Sequence, residues 1–168
     1  MAAAIESRPP GEATVASVMT RAVITIGPEA TVTEAAEMLH QHHITGMPVL
    51  DDHHHVVGVV SEMDVVLKQG ATVAEIMSPD PKTIEEEVRL SQAAEILMAQ
   101  RIRRLPVVRH GKLVGLVSRT DLVIFFARHQ WVCGQCGGTE RGLEYPDRCV
   151  VCGADGSGFR LEDAPGGM

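Results

Sequence analysis

The sequence has little basic charge, no long apolar run and no cysteine before residue 133. Its 15 lysines and arginines are outnumbered by 22 aspartates and glutamates, and both the part before Trp131 and the part after it are acidic. A surface that binds nucleic acid needs a basic surplus, so we expect no nucleic-acid partner. The longest apolar run, LVIFFA from Leu122, is too short to cross a bilayer, so we expect no membrane association.

Signals for export and for catalysis are also missing. The first residues, MAAAIESRPPGEA, lack the basic start and apolar core of a secretion signal, so we expect a cytoplasmic protein. No nucleophile and base pair, phosphate loop or open three-ligand metal site is visible, and we therefore expect no enzyme. The 168 residues, 45% of them hydrophobic, suffice for a real core in one domain with an appendage or in two small domains.

Two stretches of the chain repeat each other over about fifty positions. The stretch that begins VASVMT aligns with the one that begins VAEIMS, so that Met19 pairs with Met77 at an offset of 58. One residue is then lost in a loop, and Gly58 pairs with Gly115 at an offset of 57. An agreement sustained over this length indicates a duplicated unit.

Each copy predicts the order β-α-β-β-α. A short extended piece, VITI or KTI, leads into a helix whose apolar residues recur three and four apart. In the first copy Thr31 and Glu34 have the spacing of a capping box, which predicts where this helix begins. Two β-rich runs follow, and a second helix begins at Ser61 or Ser118. Each unit is too small to bury both faces of its sheet, so the copies should pack on each other through their sheets.

The runs GMPVLDDHHHVVGVVSEMDVV and RLPVVRHGKLVGLVSRTDLV resemble the signature of cystathionine-β-synthase (CBS) domains, whose tandem pairs are called Bateman modules. The resemblance covers roughly residues 13 to 128. It implies an α/β fold and a regulatory module that binds adenosine nucleotides in clefts between the copies and often pairs again into a disc-shaped dimer. We therefore expect a flexible segment 1–12, CBS repeats at 13–70 and 71–130, and a separate domain at 131–168.

A serine and an aspartate sit three residues apart where each second helix should begin, as Ser61 with Asp64 and as Ser118 with Asp121. The simpler interpretation is capping, in which the serine accepts a backbone N–H and the aspartate favours the positive helix end. A helix N-terminus also attracts phosphate. The resemblance favours this second role, with the aspartate accepting both ribose hydroxyls and the serine reaching phosphate or sugar.

The resemblance also places the adenine base against the backbone of the first extended segment and of the residues around the start of the next strand. In this sequence those positions are Thr25, Ile26, Thr45, Gly46, Met47 and Pro48 in the first copy, and Thr83, Ile84, Arg103, Arg104, Leu105 and Pro106 in the second.

The two copies differ in charge near these positions. Guanidinium groups clamp phosphate oxygens in a fork, whereas a glutamate repels them, so the phosphate end of a nucleotide should lie nearer the second copy. The alternative is that RIRR is a solvated helix end, where basic side chains favour the dipole. The second copy has Arg101, Arg103, Arg104 and Arg119 where the first has His43, Thr45, Gly46 and Glu62.

The histidines and methionines allow simpler interpretations. Two histidine groups, at 40–43 and 53–55, could bind metal or sense pH. No carboxylate or cysteine pattern completes a ligand set, which favours a solvated helix end and loop. The matching Met19 and Met77 are expected to fill the core.

All four cysteines, Cys133, Cys136, Cys149 and Cys152, lie in two CxxCG pairs separated by twelve residues. Four thiolates at this spacing can hold one zinc or iron ion, and the glycine after each pair permits a left-handed turn with N–H···S contacts. So short a segment has no core of its own, and a metal should organise it. Two disulfides or a redox pair are the alternatives, which a reducing compartment disfavours.

The segment from Trp131 resembles the rubredoxin-like knuckle of rubrerythrins, with Tyr145-Pro146 before the second pair and Phe159 beyond it. Zinc ribbons share most of this pattern, and the second pair reads CVVCG rather than CPxCG. Iron would allow one-electron transfer, and zinc would not.

Three functions remain open on this basis. The first is a regulatory module that senses AMP, ADP, ATP or a related adenosyl ligand, forms a homodimer through its CBS repeats and presents a metal knuckle to an unidentified protein partner. The second is an iron electron carrier gated by the repeats, and the third is a structural adaptor with a structural zinc.

Overall fold

The computed structural model describes residues 13 to 165, and the expected flexible segment 1–12 lies outside the described residues. The chain forms a mixed α/β fold of two repeats followed by a small domain. The helices are α1 (Val15–Val18), α2 (Val32–Gln41), α3 (Glu62–Leu67), α4 (Val73–Ile76), α5 (Leu90–Ala99) and α6 (Arg119–Arg128). The strands are β1 (Gly46–Leu50), β2 (Val56–Ser61), β3 (Ser78–Pro79), β4 (Ile84–Glu85), β5 (Arg104–Arg109), β6 (Lys112–Ser118), β7 (His129–Cys133), β8 (Thr139–Glu140) and β9 (Phe159–Asp163).

Local signals position the helices of the first repeat. The Thr31 backbone N–H donates to Glu34 Oε2 at 2.7 Å, and the Glu34 N–H donates to Thr31 Oγ1 at 3.2 Å. This capping box confirms the predicted start of α2. In the second repeat, α5 begins after Arg89, whose side chain caps nothing. Packing of its apolar face therefore matters more for α5 than its cap does.

Each repeat contributes a three-stranded sheet. In the first, β2 pairs antiparallel with both β1 and β3, and in the second, β5 pairs antiparallel with β6 and parallel with β4. The predicted extended piece VITI contributes one bridge only, from Ile26 to Val49, whereas KTI leads into β4. The two central strand pairs place the equivalent glycines, Gly58 and Gly115, opposite Val49 and Val107.

The first helix of each sequence repeat packs into the core of the other repeat. Val15 of α1 is buried with Leu90 and Leu97 of the second repeat. Val73 of α4 is buried with Met47 of the first. The segments after these helices also pair with the other repeat. Thr20 forms a bridge to β6 of the second repeat, and β3 pairs with β2 of the first repeat. The second core is therefore completed by residues from the start of the first repeat.

The small domain continues directly from α6 and rests on the second repeat. Its sheet has the order β8-β7-β9, and Trp131 and Phe159 are buried at its centre. Leu143 and Leu161 pack against the core of the second repeat. The Arg141 guanidinium donates to the last carbonyls of α6, at 3.0 Å to Ala127. The helices of residues 13–165 have at most ten residues, and none of them could span a membrane.

Candidate functional site: two clefts and a thiol cluster

Two clefts lie between the repeats. The first cleft, of about 370 Å³, is lined by Ser61 and Asp64 at the start of α3 together with residues of the second repeat. The second cleft, of about 560 Å³, is lined by Ser118 and Asp121 at the start of α6 together with residues of the first repeat. Each cleft therefore needs both repeats. Three residues line both clefts: Thr45, Arg103 and Arg104.

The serine and aspartate form a full capping box in each cleft. The Ser61 N–H and Oγ donate to Asp64 Oδ2 at 2.9 and 2.6 Å, and those of Ser118 donate to Asp121 Oδ2, both at 2.7 Å. The predicted capping role is confirmed, and each aspartate keeps a second oxygen for another contact. The first N–H groups of these helices already have partners, since those of Glu62 and Arg119 donate to the Thr45 and Arg103 carbonyls at 3.3 and 3.1 Å.

The second aspartate oxygen differs between the clefts. Lys68 Nζ lies 2.8 Å from Asp64 Oδ1. Burial would raise the pKa of Asp64, but hydrogen bonds from Lys68 and Ser61 outweigh it and lower that pKa. The position equivalent to Lys68 is Phe125, and the second oxygen of Asp121 has no ion pair among residues 13–165. In the second cleft, Asp121 therefore has one carboxylate oxygen without an ion pair among residues 13–165, whereas in the first cleft Lys68 occupies that oxygen of Asp64.

The arginines of the second repeat have different partners. Arg104 donates to the Gly46 carbonyl and to Thr45 Oγ1, and burial, aided by the charge of Arg103, lowers its pKa. Arg119 donates through Nε to the Ile102 carbonyl at 2.8 Å and through Nη2 to a carbonyl at the end of α5 at 3.0 Å. The side chain of Arg103 is exposed and makes no hydrogen bond or ion pair within the described part of the chain. Arg103 is therefore a cation that is free to meet a ligand in either cleft, and Lys82 is a further exposed cation of the first cleft.

Nine of the seventeen proposed contact residues line one or both clefts, and eight line neither. Pro106 lines the first cleft, and Arg119 lines the second. Buried in the two cores are Ile26, Met47, Ile84 and Leu105, and within β1 the residues Gly46 and Pro48 are buried as well. Thr25 lines a separate cavity, and Thr83 is half-buried and lines none of the three cavities described here.

The segments after α1 and α4 pair with the opposite repeat, and residues of these segments also line the clefts. The sequence analysis did not predict them. Thr20 lines the second cleft, and Ser78 lines the first, together with Lys82. Thr20 and Ser78 are equivalent small polar residues, each directly after one of the matched methionines. The matched positions of Thr20 and Ser78 could have been noticed in the sequence. Their place in the clefts could not be predicted, because it depends on each segment pairing with the opposite repeat.

The four cysteines converge at one point of the small domain. Their Sγ atoms all lie within 4.8 Å of one another, with Cys133 and Cys152 at 3.9 Å and Cys136 and Cys149 at 3.7 Å. The predicted turns are present, because the glycines after both pairs, Gly137 and Gly153, have φ of 73°. The Gly138 N–H donates to Cys136 Sγ at 3.3 Å.

These distances fit a tetrahedral metal site. A metal–sulfur length of about 2.3 Å places the sulfurs of a tetrahedron about 3.8 Å apart, and all four cysteines are free rather than disulfide-bonded. Backbone N–H groups of Cys152 and Val151 help lower the pKa of Cys149 to about 7. The Gly138 N–H lowers the pKa of Cys136, but the neighbouring thiols and burial outweigh it and raise that pKa to about 12. Cys133 and Cys149 are buried, and the other two are exposed.

The family follows from comparison with known proteins. The model of the CBS domain matches residues 15–69 and 73–128. The chain therefore belongs to the CBS-domain family and carries a tandem pair of these domains.

Among curated relatives, an inosine-5'-monophosphate dehydrogenase of Korarchaeum cryptofilum is 37% identical over 109 residues, which cover 63% of this chain and 23% of the enzyme. The chloroplastic CBS domain-containing protein CBSX1 of Arabidopsis thaliana is 32% identical over 133 residues, covering 58% of this chain and 56% of the relative. The chain thus spans less than two thirds of either relative.

Two solved structures show the same fold. CBSX2 in complex with AMP is 33% identical with a TM-score of 0.63, and the match covers 66% of this chain and 93% of that one. The CBS domain pair of MJ0100, in complex with 5-methylthioadenosine and S-adenosyl-L-methionine, is 26% identical with a TM-score of 0.65, covering 68% and 96%.

Proposed function

We propose that this chain is a regulatory module that binds an adenine nucleotide or a related adenosyl ligand between its CBS repeats and couples binding to a metal centre in its small domain. The observation that carries the proposal is the pair of Ser-x-x-Asp helix starts, each facing a cleft that both repeats line. Two similar CBS pairs are known with adenosyl ligands, AMP in one and S-adenosyl-L-methionine with 5-methylthioadenosine in the other.

The second cleft is the better candidate for a phosphorylated ligand. The free oxygen of Asp121 is available to ribose hydroxyls, and Arg103 is available to phosphate. In the first cleft, Lys68 holds Asp64, and Glu62 lines the cleft with a charge that repels phosphate. We assign the ribose to Asp121 and the phosphate to Arg103.

Arg103 also limits how many phosphates one chain binds. It lines both clefts, and a single guanidinium cannot pair fully with two separate phosphate groups. Occupation of one cleft by a nucleotide therefore weakens binding of a second nucleotide in the other. An adenosyl ligand without phosphate escapes this competition.

The route to the metal centre is α6. This helix begins at Ser118 in the second cleft, ends at Arg128 and continues without a loop into β7, which carries Cys133. Its ten residues span about 15 Å. A ligand that shifts the start of α6 therefore moves the base of the small domain, and we propose that this changes the surface presented to a partner protein.

The cysteine cluster would hold one zinc or iron ion in a rubredoxin-like knuckle. With four thiolates and no open position, either ion would give a closed site. Zinc would stabilise the small domain, whereas iron would supply one-electron redox chemistry. The exposure of Cys136 and Cys152 favours the electron carrier as the second candidate function, because a redox partner could approach them. A structural adaptor that binds zinc and no nucleotide is the third.

We propose that the module forms a homodimer through α3 and α6. These equivalent helices expose apolar side chains at matching positions, with Val66 and Val123 at 75% and 66% exposure. Further exposed apolar residues on the same helices are Met63, Leu67, Ile124 and Phe126. We also propose that the protein is cytoplasmic, because free thiols at this density suit a reducing compartment. We further propose that its role is not enzymatic.

A matched pair of variants tests the sensor. Asp121→Asn and Asp64→Asn weaken the same kind of capping box, but only Asp121→Asn should lower affinity for AMP in calorimetry. Thermal unfolding with AMP, ADP, ATP and S-adenosyl-L-methionine identifies the ligand, since a hundredfold excess over Kd adds about 2.7 kcal/mol of stability. No shift with any of the four contradicts the sensor and favours the adaptor.

Metal and oligomeric state need separate measurements. Native mass spectrometry of freshly purified protein reports bound nucleotide, metal mass and dimer together. Visible absorbance from ferric thiolate would support the electron carrier, whereas a colourless zinc form would contradict it.

A further inference from the structure

A third cavity, of about 350 Å³, lies between the repeats and shares no lining residue with either cleft. It sits at the opposite ends of the same strands. Leu50 at the end of β1 lines it, whereas Thr45 just before β1 lines the clefts. Lys112 at the start of β6 lines it, whereas Ser118 at the end of β6 lines the second cleft.

The polar side chains of this cavity are cationic or neutral. Arg21, His54 and Lys112 reach it from three separate segments, together with the hydroxyl-bearing Thr25, and its other lining residues are aliphatic. No aspartate or glutamate lines it, although the chain carries a net charge of −7. The lining thus carries the cations Arg21 and Lys112 and no carboxylate, although the Glu86 carboxylate lies 4.0 Å from Arg21 outside the cavity.

The cations retain binding capacity. The Lys112 side chain makes no hydrogen bond or ion pair among the described residues. Arg21 donates one hydrogen bond, to the Ala16 carbonyl at 3.2 Å, and its nearest carboxylate oxygen, on Glu86, is 4.0 Å away. Arg109 holds that same carboxylate through its other oxygen. Most donors of Arg21 and all those of Lys112 are therefore available to a ligand.

The duplicated fold does not impose this charge. The position equivalent to Arg21 in the second copy is Pro79, and the position equivalent to Lys112 in the first is His55. Backbone contacts join the loop that carries His54 to the strand that begins at Lys112, since His55 bridges Lys112 and the Leu113 N–H donates to the His54 carbonyl at 3.5 Å. The cationic lining belongs to one side of the pair only, so it is a feature of these particular residues.

We propose that this cavity binds a small phosphate-bearing anion, at a site separate from the nucleotide clefts. Arg21 and Lys112 would pair with phosphate oxygens, and the Thr25 hydroxyl would donate a further hydrogen bond. The aliphatic lining would contact a short carbon skeleton. The volume lies in the range of small-molecule sites. The proposal goes beyond the sensing of adenosyl ligands and does not depend on it.

Isothermal calorimetry on the full chain tests the site, with inorganic phosphate, pyrophosphate and glycerol 3-phosphate as probes. We expect pyrophosphate to bind with one-to-one stoichiometry, and Lys112→Gln to weaken it about tenfold or more, since a hydrogen bond to a charged group contributes on the order of 1.5–3 kcal/mol. Lys112→Arg keeps the charge and should retain most of the affinity. Tighter binding of glycerol 3-phosphate than of the inorganic probes would identify an organic phosphate as the ligand class.

Two further variants locate the binding. Lys82→Gln removes a cation from the first cleft and should not change pyrophosphate affinity, whereas Arg103→Gln removes a cation that lines both clefts and reports any pyrophosphate bound there instead. Lys112 is exposed and makes no side-chain contact of this kind, so its variants should melt at the temperature of the wild type. Absence of pyrophosphate binding overturns the proposal, and so does binding that Arg103→Gln abolishes while Lys112→Gln leaves it intact.

Discussion

Arg104 and Gly46 occupy equivalent positions of the two repeats, and they contact each other, because the Arg104 guanidinium donates to the Gly46 carbonyl. Residues near the axis of a pseudo-symmetric pair meet their own counterparts. A Cβ on Gly46 would lie 2.9 Å from the Val60 carbonyl oxygen and 3.2 Å from Arg104 Nη1. The interface therefore requires that the copies differ here, with a long side chain on one side and none on the other.

Gly46→Ala should destabilise the pair. The added methyl has no room against the Val60 backbone, and overpacking of this kind costs about 1–3 kcal/mol. Gly27→Ala is the matched control, because a Cβ there meets nothing within 4 Å. Urea denaturation followed by circular dichroism measures both variants. Equal stabilities for the two would contradict the close approach at Gly46.

Contact with Met19 explains why the repeat has a glycine at position 115. A Cβ on Gly115 would lie 2.5 Å from Met19 Sδ and 3.2 Å from the Thr20 carbonyl oxygen. Met19 is buried at 7% exposure, as expected of a residue that fills the core. Gly115→Ala should therefore destabilise the protein by about 1–3 kcal/mol.

The pair Gly115→Ala and Met19→Ala should be coupled, since removing the Met19 side chain makes room for the new methyl. A double-mutant cycle by urea denaturation should return a coupling energy of at least about 0.5 kcal/mol. Strict additivity would show that Met19 does not pack against Gly115 of the second repeat.

Removal of the proposed metal ion should unfold the small domain alone. Trp131 is the one tryptophan of the chain, is fully buried in this domain and donates from Nε1 to the Gly142 carbonyl at 3.1 Å. A strong chelator, or Cys149→Ser, should therefore shift tryptophan emission to the red, because metal binding supplies folding free energy to so small a core. Most of the helical dichroism should persist, since the repeats have separate cores. Unchanged emission after verified metal loss would contradict a structural role for the ion.

The buried carboxylate of Glu86 should make stability depend on acid pH. A hydrogen bond from Arg109, assisted by the charges of Arg109 and Arg21, lowers the pKa of Glu86. Because the pKa is lower in the folded state, the stabilisation is present above the unfolded-state pKa and is lost as pH falls through the folded value. Wild type and Glu86→Gln should differ most near neutral pH, and the difference should shrink below about pH 4.

Chemical denaturation at several pH values between neutral and acid provides the measurement. Arg109→Gln removes the partner and should flatten the same part of the profile. A constant difference between wild type and Glu86→Gln at every pH would rule out this ion pair as its source.

Arg103 should distinguish a phosphorylated ligand from an unphosphorylated one. We expect Arg103→Gln to lower AMP affinity about tenfold or more and to leave adenosine affinity unchanged, because the lost interaction is with phosphate alone. Calorimetry with both ligands gives the comparison. Arg119→Gln is the matched variant, since Arg119 already donates to the Leu97 and Ile102 carbonyls, and its loss should lower stability more than affinity. Equal losses for AMP and adenosine would remove Arg103 from the phosphate site.

Local patterns in the sequence predicted much of this architecture. The helix starts at Thr31, Ser61 and Ser118 and the left-handed turns at Gly137 and Gly153 depend on neighbours within a few residues, and the structure confirms them. The strand at VITI was less well predicted. Ile26 alone bridges β1 there, since pairing of a strand depends on a partner from elsewhere in the chain.

The partners of the arginines could not be predicted at all. A run such as RIRR specifies charge but not which carbonyls will lie within reach. In the structure Arg104 and Arg119 donate hydrogen bonds to backbone carbonyls, whereas Arg103 is exposed and lines both clefts. Several residues that the family resemblance placed at the base, Met47 and Leu105 among them, have side chains buried in the cores.

The amino-acid sequence by itself determined that two similar half-units exist, where α2, α3 and α6 begin and that four sulfurs can share one small tail, because capping, periodicity and cysteine spacing act over short distances. Only the tertiary structure decided that α1 completes the core of the distant repeat, that equivalent residues such as Gly46 and Arg104 meet, and which cations remain free. Those outcomes depend on burial and steric fit between segments far apart in the chain, which no local pattern encodes.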